Sequence, residues 1–137
     1  MSRARKAITA PARFLNLDLV LKSGSDLSEL IKYLDDKAFV VAHEKYNGEF
    51  ILVLELSAED LARDPQDYTK RFLAIIAEFP DEVREIWESC SSRAFSYGFD
   101  GGANSPALDT TISADLLLQV ARVCADIAIT VYPFHQP

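Results

Sequence analysis

The side chains of this chain that could carry chemistry are two histidines, two cysteines and several carboxylates on predicted strands. His43 and Glu44 are adjacent in sequence, but neighbouring residues of a strand point to opposite faces, so we do not expect them to share a metal ion. Cys90 and Cys124 lack the CxxC spacing of a zinc ribbon or a redox pair, and we expect buried, reduced thiols. The sequence thus predicts no metal site and no cofactor, and it predicts that His43 is a hydrogen-bonded histidine facing the core.

Three carboxylates fall on one face of the predicted sheet. Glu44 and Glu55 share that face, but about 13 Å of strand separates them, which exceeds the roughly 5 to 9.5 Å between the carboxylates of a glycosidase. Asp18 would lie between them if the first strand is a neighbour of the third. Acids interspersed with apolar residues are typical of a surface that contacts a protein. The expected interaction face consists of Asp18, Val40, Ala42, Glu44, Ile51, Val53 and Glu55.

Polar residues near predicted strand ends indicate an alternative, since such positions often carry function. His43, Arg93, Tyr97 and Asp100 could form the rim of a pocket between sheet and helices, in a small enzyme or small-molecule-binding domain. No G-x-S-x-G motif and no phosphate-binding loop with its lysine is present. We therefore assign no catalytic residue, and the non-enzymatic function is the preferred prediction.

The strands are predicted from two-residue alternation. Residues 14–21 alternate, with Leu15, Leu17, Leu19 and Leu21 on the buried side. Asn47 and Gly48 favour a type I′ hairpin turn between residues 39–46 and 49–56.

The register of this hairpin follows from its turn. It sets three residues of the first strand on a core face: His43 opposite Leu52, Val41 opposite Leu54 and Phe39 opposite Leu56. On the reverse face, Val40 should meet Glu55.

The helices are predicted from capping residues followed by apolar positions at helical spacing. Asp26, Asp64 with Pro65, Pro80 and Ser113 each precede such a stretch, and Trp87 lies on the buried side of the third. A short turn is expected around Leu61. The result is an α+β domain of order β-α-β-β-α-α-β-α-β, with a largely antiparallel sheet of about five strands. We expect the helices mainly on one face and a ferredoxin-like arrangement in the first two thirds.

Composition narrows the classes of partner. The 137 residues are 49% hydrophobic and carry a formal net charge of −7, which disfavours nucleic acid and anionic lipid as partners. The sequence contains no run of 18 apolar residues, so it predicts no membrane-spanning segment. Residues 1–13 contain Arg3, Arg5, Lys6 and Arg13 and no acid, and we expect a solvated, disordered tail before a single domain over 14–137.

Three segments carry a resemblance to a known group. Asn16–Leu21, Thr111–Leu117 and Ile127–Tyr132 resemble those of uncharacterised bacterial α+β domains of unknown function, over residues 14–133. This chain lacks the tryptophan expected near the hairpin, and the shared positions are apolar or capping residues. The resemblance implies the fold and a bacterial, cytoplasmic setting, and it carries over no catalytic residue.

The predicted function is that of an interaction or regulatory domain. Its partner would be another protein or a second copy of the chain. A sharper hypothesis is an acidic, immunity-type protein that binds a basic partner, because opposite charges favour recognition.

Overall fold

The structure is a computed structural model that describes residues 8–57 and 64–134. The predicted element order and the α+β class are confirmed. The turn expected around Leu61 and most of the basic tail lie outside the described residues. The elements are β1 (Arg13–Ser23), α1 (Ser28–Leu34), β2 (Phe39–Tyr46), β3 (Glu49–Glu55), α2 (Pro65–Ala77), α3 (Asp81–Ser89), β4 (Ser92–Asp100), α4 (Ala114–Arg122) and β5 (Asp126–Tyr132).

One five-stranded sheet organises the described chain, in the order β2-β3-β1-β4-β5. β1 is the central strand and pairs antiparallel with β3 and with β4. β2 pairs antiparallel with β3, whereas β5 pairs parallel with β4. The ferredoxin-like arrangement stays a prediction, and β2 and β5 are the two edges of the sheet.

The helix boundaries follow the capping residues. The Asp64 carboxylate accepts a 2.8 Å hydrogen bond from the backbone N–H two residues on, with Pro65 as the first residue of α2. The Ser113 hydroxyl accepts from the third residue of α4, and Pro80 directly precedes α3. Asp26 accepts from the first N–H of α1 at 3.2 Å. The side chains of Asp64, Ser113 and Asp26 each satisfy a backbone donor that the helix itself cannot, whereas Pro80 precedes α3 without a side-chain hydrogen bond.

The four helices of the described residues contribute to one core on the same side of the sheet, which we call the inner face. Trp87 of α3 is only 3% exposed, as predicted, and its indole N–H donates to the Val123 carbonyl at 3.0 Å. The opposite side, the outer face, contributes no large side chain to this core among the described strands. The strand residues of the core are Phe14, Leu17, Leu19, Leu21, Leu52, Leu54, Phe95, Tyr97 and Phe99.

Two β-bulges change the predicted alternation. The register shifts between Phe14 and Asn16, so Phe14 joins the inner face opposite Phe99, while Leu15 is only half-buried. The prediction of Leu15 in the core is therefore wrong. A bulge inserts one unpaired residue, and simple alternation cannot reveal it.

The second bulge lies in the hairpin, at Val41. Near the turn, His43 is opposite Leu52 as predicted. Beyond the shift between Val40 and Ala42, Val40 pairs with Leu54 and Phe39 pairs with Glu55. The predicted partners of Val41, Phe39 and Val40 are therefore wrong, because the bulge moves this end of β2 by one residue.

The expected core face of β2 is also wrong. Phe39 is 63% exposed and Val41 is 56% exposed, and His43 is exposed as well. An edge strand has a neighbour on one side only, so its side chains keep fewer contacts than those of β3. His43 stacks on Phe50, with ring centroids 6.1 Å apart, and makes no hydrogen bond in the described chain.

The residues before β1 are tied to the loop after β4. Ala10 and Ala103 exchange two backbone hydrogen bonds of 2.8 and 2.9 Å, and the Asn104 amide donates to the Ile8 carbonyl. Gly102 makes this contact feasible. Its φ is +70°, and a Cβ there would lie 2.5 Å from the Ala12 nitrogen and 2.7 Å from the Ala10 oxygen.

We therefore expect Gly102→Ala to lower the free energy of unfolding by about 2 kcal/mol, because the left-handed conformation and the backbone clash add up. Urea denaturation measures the loss. Gly24→Ala is the matched control, since Gly24 has open space around it, and its effect should stay within about 0.5 kcal/mol. Equal losses in the two variants would contradict this explanation.

Candidate interaction face

The outer face is built in rows, because residues directly opposite each other on neighbouring strands point the same way. A central apolar row crosses four strands. A row with two acids lies on one side of it, and a row of mixed character lies on the other. In the sheet order β2-β3-β1-β4, the apolar row is Ala42, Val53, Val20 and Ala94, the acidic row is Phe39, Glu55, Asp18 and Ser96, and the mixed row is Glu44, Ile51, Lys22 and Ser92.

The acidic row sets Asp18 of β1 directly opposite Glu55 of β3. Such a position brings the Cβ atoms within about 5.5 Å, and like charges there repel each other. Burial raises the pKa of the Asp18 carboxyl, against a smaller lowering by its hydrogen bond from Asn16. Burial, and then the charge of Asp18, raise the pKa of Glu55. Neither carboxylate has an ion pair within residues 8–57 and 64–134.

Asn16 and Gly98 position Asp18, and the sequence did not identify either of them. The Asn16 amide donates to the Asp18 carboxylate at 3.0 Å. Gly98 is opposite Asn16 on β4, and a Cβ there would lie 2.5 Å from the Asn16 side-chain oxygen. The absence of a side chain at Gly98 therefore leaves room for the amide. The sequence feature that could have identified Asn16 is its two-residue spacing from Asp18, which puts the two side chains on one face of the strand.

Six of the seven residues predicted for the interaction face share the outer face, and their role in an interaction stays a prediction. Asp18, Ala42, Glu44, Ile51, Val53 and Glu55 occupy the three rows. Val40 pairs with Leu54 and so belongs to the inner face, and Phe39 takes its position opposite Glu55. Glu44 lies two rows from Glu55, as the spacing predicted, so Asp18 forms a pair with Glu55 rather than a bridge between two acids.

The four residues of the alternative pocket rim do not come together. His43 is on the β2 edge, whereas Arg93 and Asp100 are near opposite ends of β4. Tyr97 is buried in the core, where its hydroxyl lies 2.6 Å from the Thr69 hydroxyl. Asp100 accepts a hydrogen bond from the Gly102 N–H in the loop that follows β4. These four side chains therefore do not form the rim of a common pocket.

Arg93 joins the end of α3 to the turn after α4. Its guanidinium donates to the carbonyls of Trp87, Cys90 and Cys124 at 2.8 to 2.9 Å. These carbonyls lie at or just beyond the C-terminal ends of α3 and α4, where backbone acceptors need additional donors, so the role of Arg93 is structural. Arg93 also lines a cavity of about 280 Å³ with Arg84 and Arg122.

We expect Arg93→Met to lower the free energy of unfolding by about 2 kcal/mol, because three carbonyls lose a charged donor. Thermal and urea denaturation measure the change. Arg122→Met is the control, since Arg122 is exposed and has no hydrogen bond or ion pair in the described chain. A loss as large in Arg122→Met would mean that charge, not the three bonds, is responsible.

A larger groove, of about 590 Å³, lies where β1 begins and α2 starts. Arg13, Phe14, Gln66 and Phe99 are among its lining residues. None of the predicted site residues lines it, and neither Asp18 nor Glu55 lines either cavity. The carboxylate pair therefore lies outside both of these cavities.

The two cysteines differ from each other. Cys90 is buried, as predicted, and burial raises the pKa of its thiol. Cys124 is exposed, in a turn where its φ is +59°, so the prediction that it is buried is wrong. The turn between α4 and β5 requires this backbone conformation, and apolarity alone could not reveal it.

Within the described ranges, no three His, Cys, Asp or Glu side chains converge as a metal site requires. None of the described helices has the length and apolarity needed to cross a membrane. Comparison with family models, curated proteins and solved structures found no match to this chain.

The raised pKa values of Asp18 and Glu55 predict how the stability of the fold depends on pH. The folded state favours the protonated carboxyls, so their contribution to stability is present at low pH and is lost as pH rises through the folded pKa. We expect Glu55→Gln to raise the free energy of unfolding at pH 7 by about 0.5 kcal/mol, a value reduced for solvent screening.

This gain should disappear near pH 3, where carboxyls are mostly protonated in both states. Urea denaturation at the two pH values measures it. Glu44→Gln is the control on the same face, since Glu44 is opposite Ile51 rather than an acid. A gain that persists at acid pH, or that Glu44→Gln equals, would rule out repulsion between Asp18 and Glu55.

Proposed function

We propose that this chain is a non-enzymatic interaction domain whose outer face binds a basic protein, in the manner of an acidic immunity-type protein acting in the cytoplasm. The observation that carries the proposal is the carboxylate pair of Asp18 and Glu55 beside an apolar row, on the outer face of the sheet, where none of the described helices packs. A partner of this chemistry presents a lysine or arginine flanked by apolar side chains.

The carboxylate pair favours a cation for an energetic reason. In the free chain, the two ionised groups repel each other and have no counter-charge from the described residues. A guanidinium or ammonium group placed over the pair attracts both carboxylates at once, and this attraction offsets their mutual repulsion. Two carboxylates therefore bind one cation more strongly than a single carboxylate would.

The apolar row supplies the second part of the interface. Val20, Val53 and Ala94 are half-buried and adjacent across three strands. Apolar contact of this kind contributes affinity without direction, whereas the charges set the register of the partner. The net charge of −7 further attracts a basic protein at a distance.

The test is affinity capture from a lysate of the cells that express the protein, with the immobilised chain and quantitative mass spectrometry. We expect a basic protein whose retention falls about tenfold in the isosteric double variant Asp18→Asn/Glu55→Gln, since a lost charge pair of 1.4 kcal/mol is tenfold in affinity. Its retention should also fall as salt rises.

Glu82→Gln/Glu85→Gln is the matched control, because it removes the same two charges from exposed positions of α3. It should retain the partner. If no basic protein is captured, or if the two double variants lose it equally, the outer face is not the binding site.

A further inference from the structure

We propose that two copies of this chain associate through β5, antiparallel across a two-fold axis, to form one continuous sheet. The inference stands on the sheet edge rather than on the outer face, so it is independent of the proposed function. Its occupant is a second copy, and its site is the strand Asp126–Tyr132.

β5 is an open edge with apolar side chains in solvent. Among residues 8–57 and 64–134 it pairs only with β4, in unbroken register, so its other side leaves backbone N–H and C=O groups without a strand partner in this part of the chain. Ile129 is 67% exposed and Val131 is 61% exposed, and every residue of the strand is exposed. These side chains share the inner face with Tyr97 and Phe99, their partners on β4.

The usual protections of an edge are absent from this strand and present on the other edge. Natural edges are guarded by lysines, bulges, prolines or shortness. β5 has seven residues, no lysine, no proline and no bulge. β2 instead carries the bulge at Val41, together with the charged residues Glu44 and Lys45. Only β5 among the two edges is therefore ready to receive a strand.

The sequence of β5 is complementary to itself. Antiparallel pairing centred on Ile129 sets this residue opposite its own copy, Ile127 opposite Val131, Ala128 opposite Thr130, and Asp126 opposite Tyr132. No like charges face each other in this register. Three apolar side chains from each copy then lie together on the inner face, which is the arrangement that stabilises antiparallel pairs. A two-fold axis requires this identity of the two surfaces.

Charge predicts how this association responds to salt. Each copy has a net charge of −7, so the copies repel each other at a distance, and salt screens the repulsion. Dimerisation should therefore tighten as salt rises. A complex with a basic partner on the outer face should weaken under the same change, so the two proposals fail separately.

The first experiment is sedimentation equilibrium of the full chain over a range of concentrations and salt. We expect a monomer–dimer equilibrium that Ile129→Lys weakens at least about tenfold, because it places two lysines face to face at the axis. Val41→Lys, an equally drastic change on the exposed β2 edge, should leave the dimer intact. Circular dichroism melts establish that both variants fold.

The second experiment tests the register directly. In a Cys124→Ser background, Ile129→Cys should form an intermolecular disulfide under mild oxidation, since directly opposed Cβ atoms lie about 4.5 to 5.5 Å apart. Thr130→Cys should form it far less, because its opposite residue is Ala128 of the second copy. A wild-type chain that is monomeric at all concentrations, a dimer that Val41→Lys disrupts and Ile129→Lys does not, or equal cross-linking at both positions would overturn the proposal.

Discussion

The pairing of β1 with strands on both sides is the interaction on which the rest of the structure depends. It fixes Leu17, Leu19 and Leu21 on the inner face, where the helices pack, and thereby fixes Asp18 and Val20 on the other. Because the side-chain period of a strand is two, neither set can move without the other. The same hydrogen bonds that build the core therefore also display the carboxylate pair and the apolar row.

Local signals in the sequence were sufficient for much of the fold. Asp64 with Pro65 and Ser113 begin helices because short polar side chains satisfy free backbone donors, and Asn47 with Gly48 adopt the positive φ that a tight hairpin needs. Non-local features were not accessible in this way. The bulges at Leu15 and Val41 and the exposure of β2 depend on neighbours that are remote in sequence.

The candidate site likewise combines features that local sequence signals predict with features that depend on strand pairing. Alternation and the hairpin register placed Ile51, Val53 and Glu55 on a common face, and the spacing of Glu44 and Glu55 excluded their cooperation. Asp18 was expected on that face only if the first strand is a neighbour of the third. The direct opposition of Asp18 and Glu55 required the relative register of β1 and β3, which no turn connects. The role of Gly98 could not be predicted for a related reason, since it arises from the contact of Gly98 with Asn16 across two strands, whereas the hydrogen bond from Asn16 to Asp18 lies within β1.

The bulge at Val41 has a consequence for assembly. A protein with two open sheet edges can add copies at both and so grow without limit into a fibril. Here the β2 edge is distorted and charged, while the β5 edge is regular and largely apolar. In a pair of copies joined through β5, the two β2 strands would be the free edges of the combined sheet. The single extra residue in β2 would thus prevent further copies from pairing there and would limit the assembly to two copies.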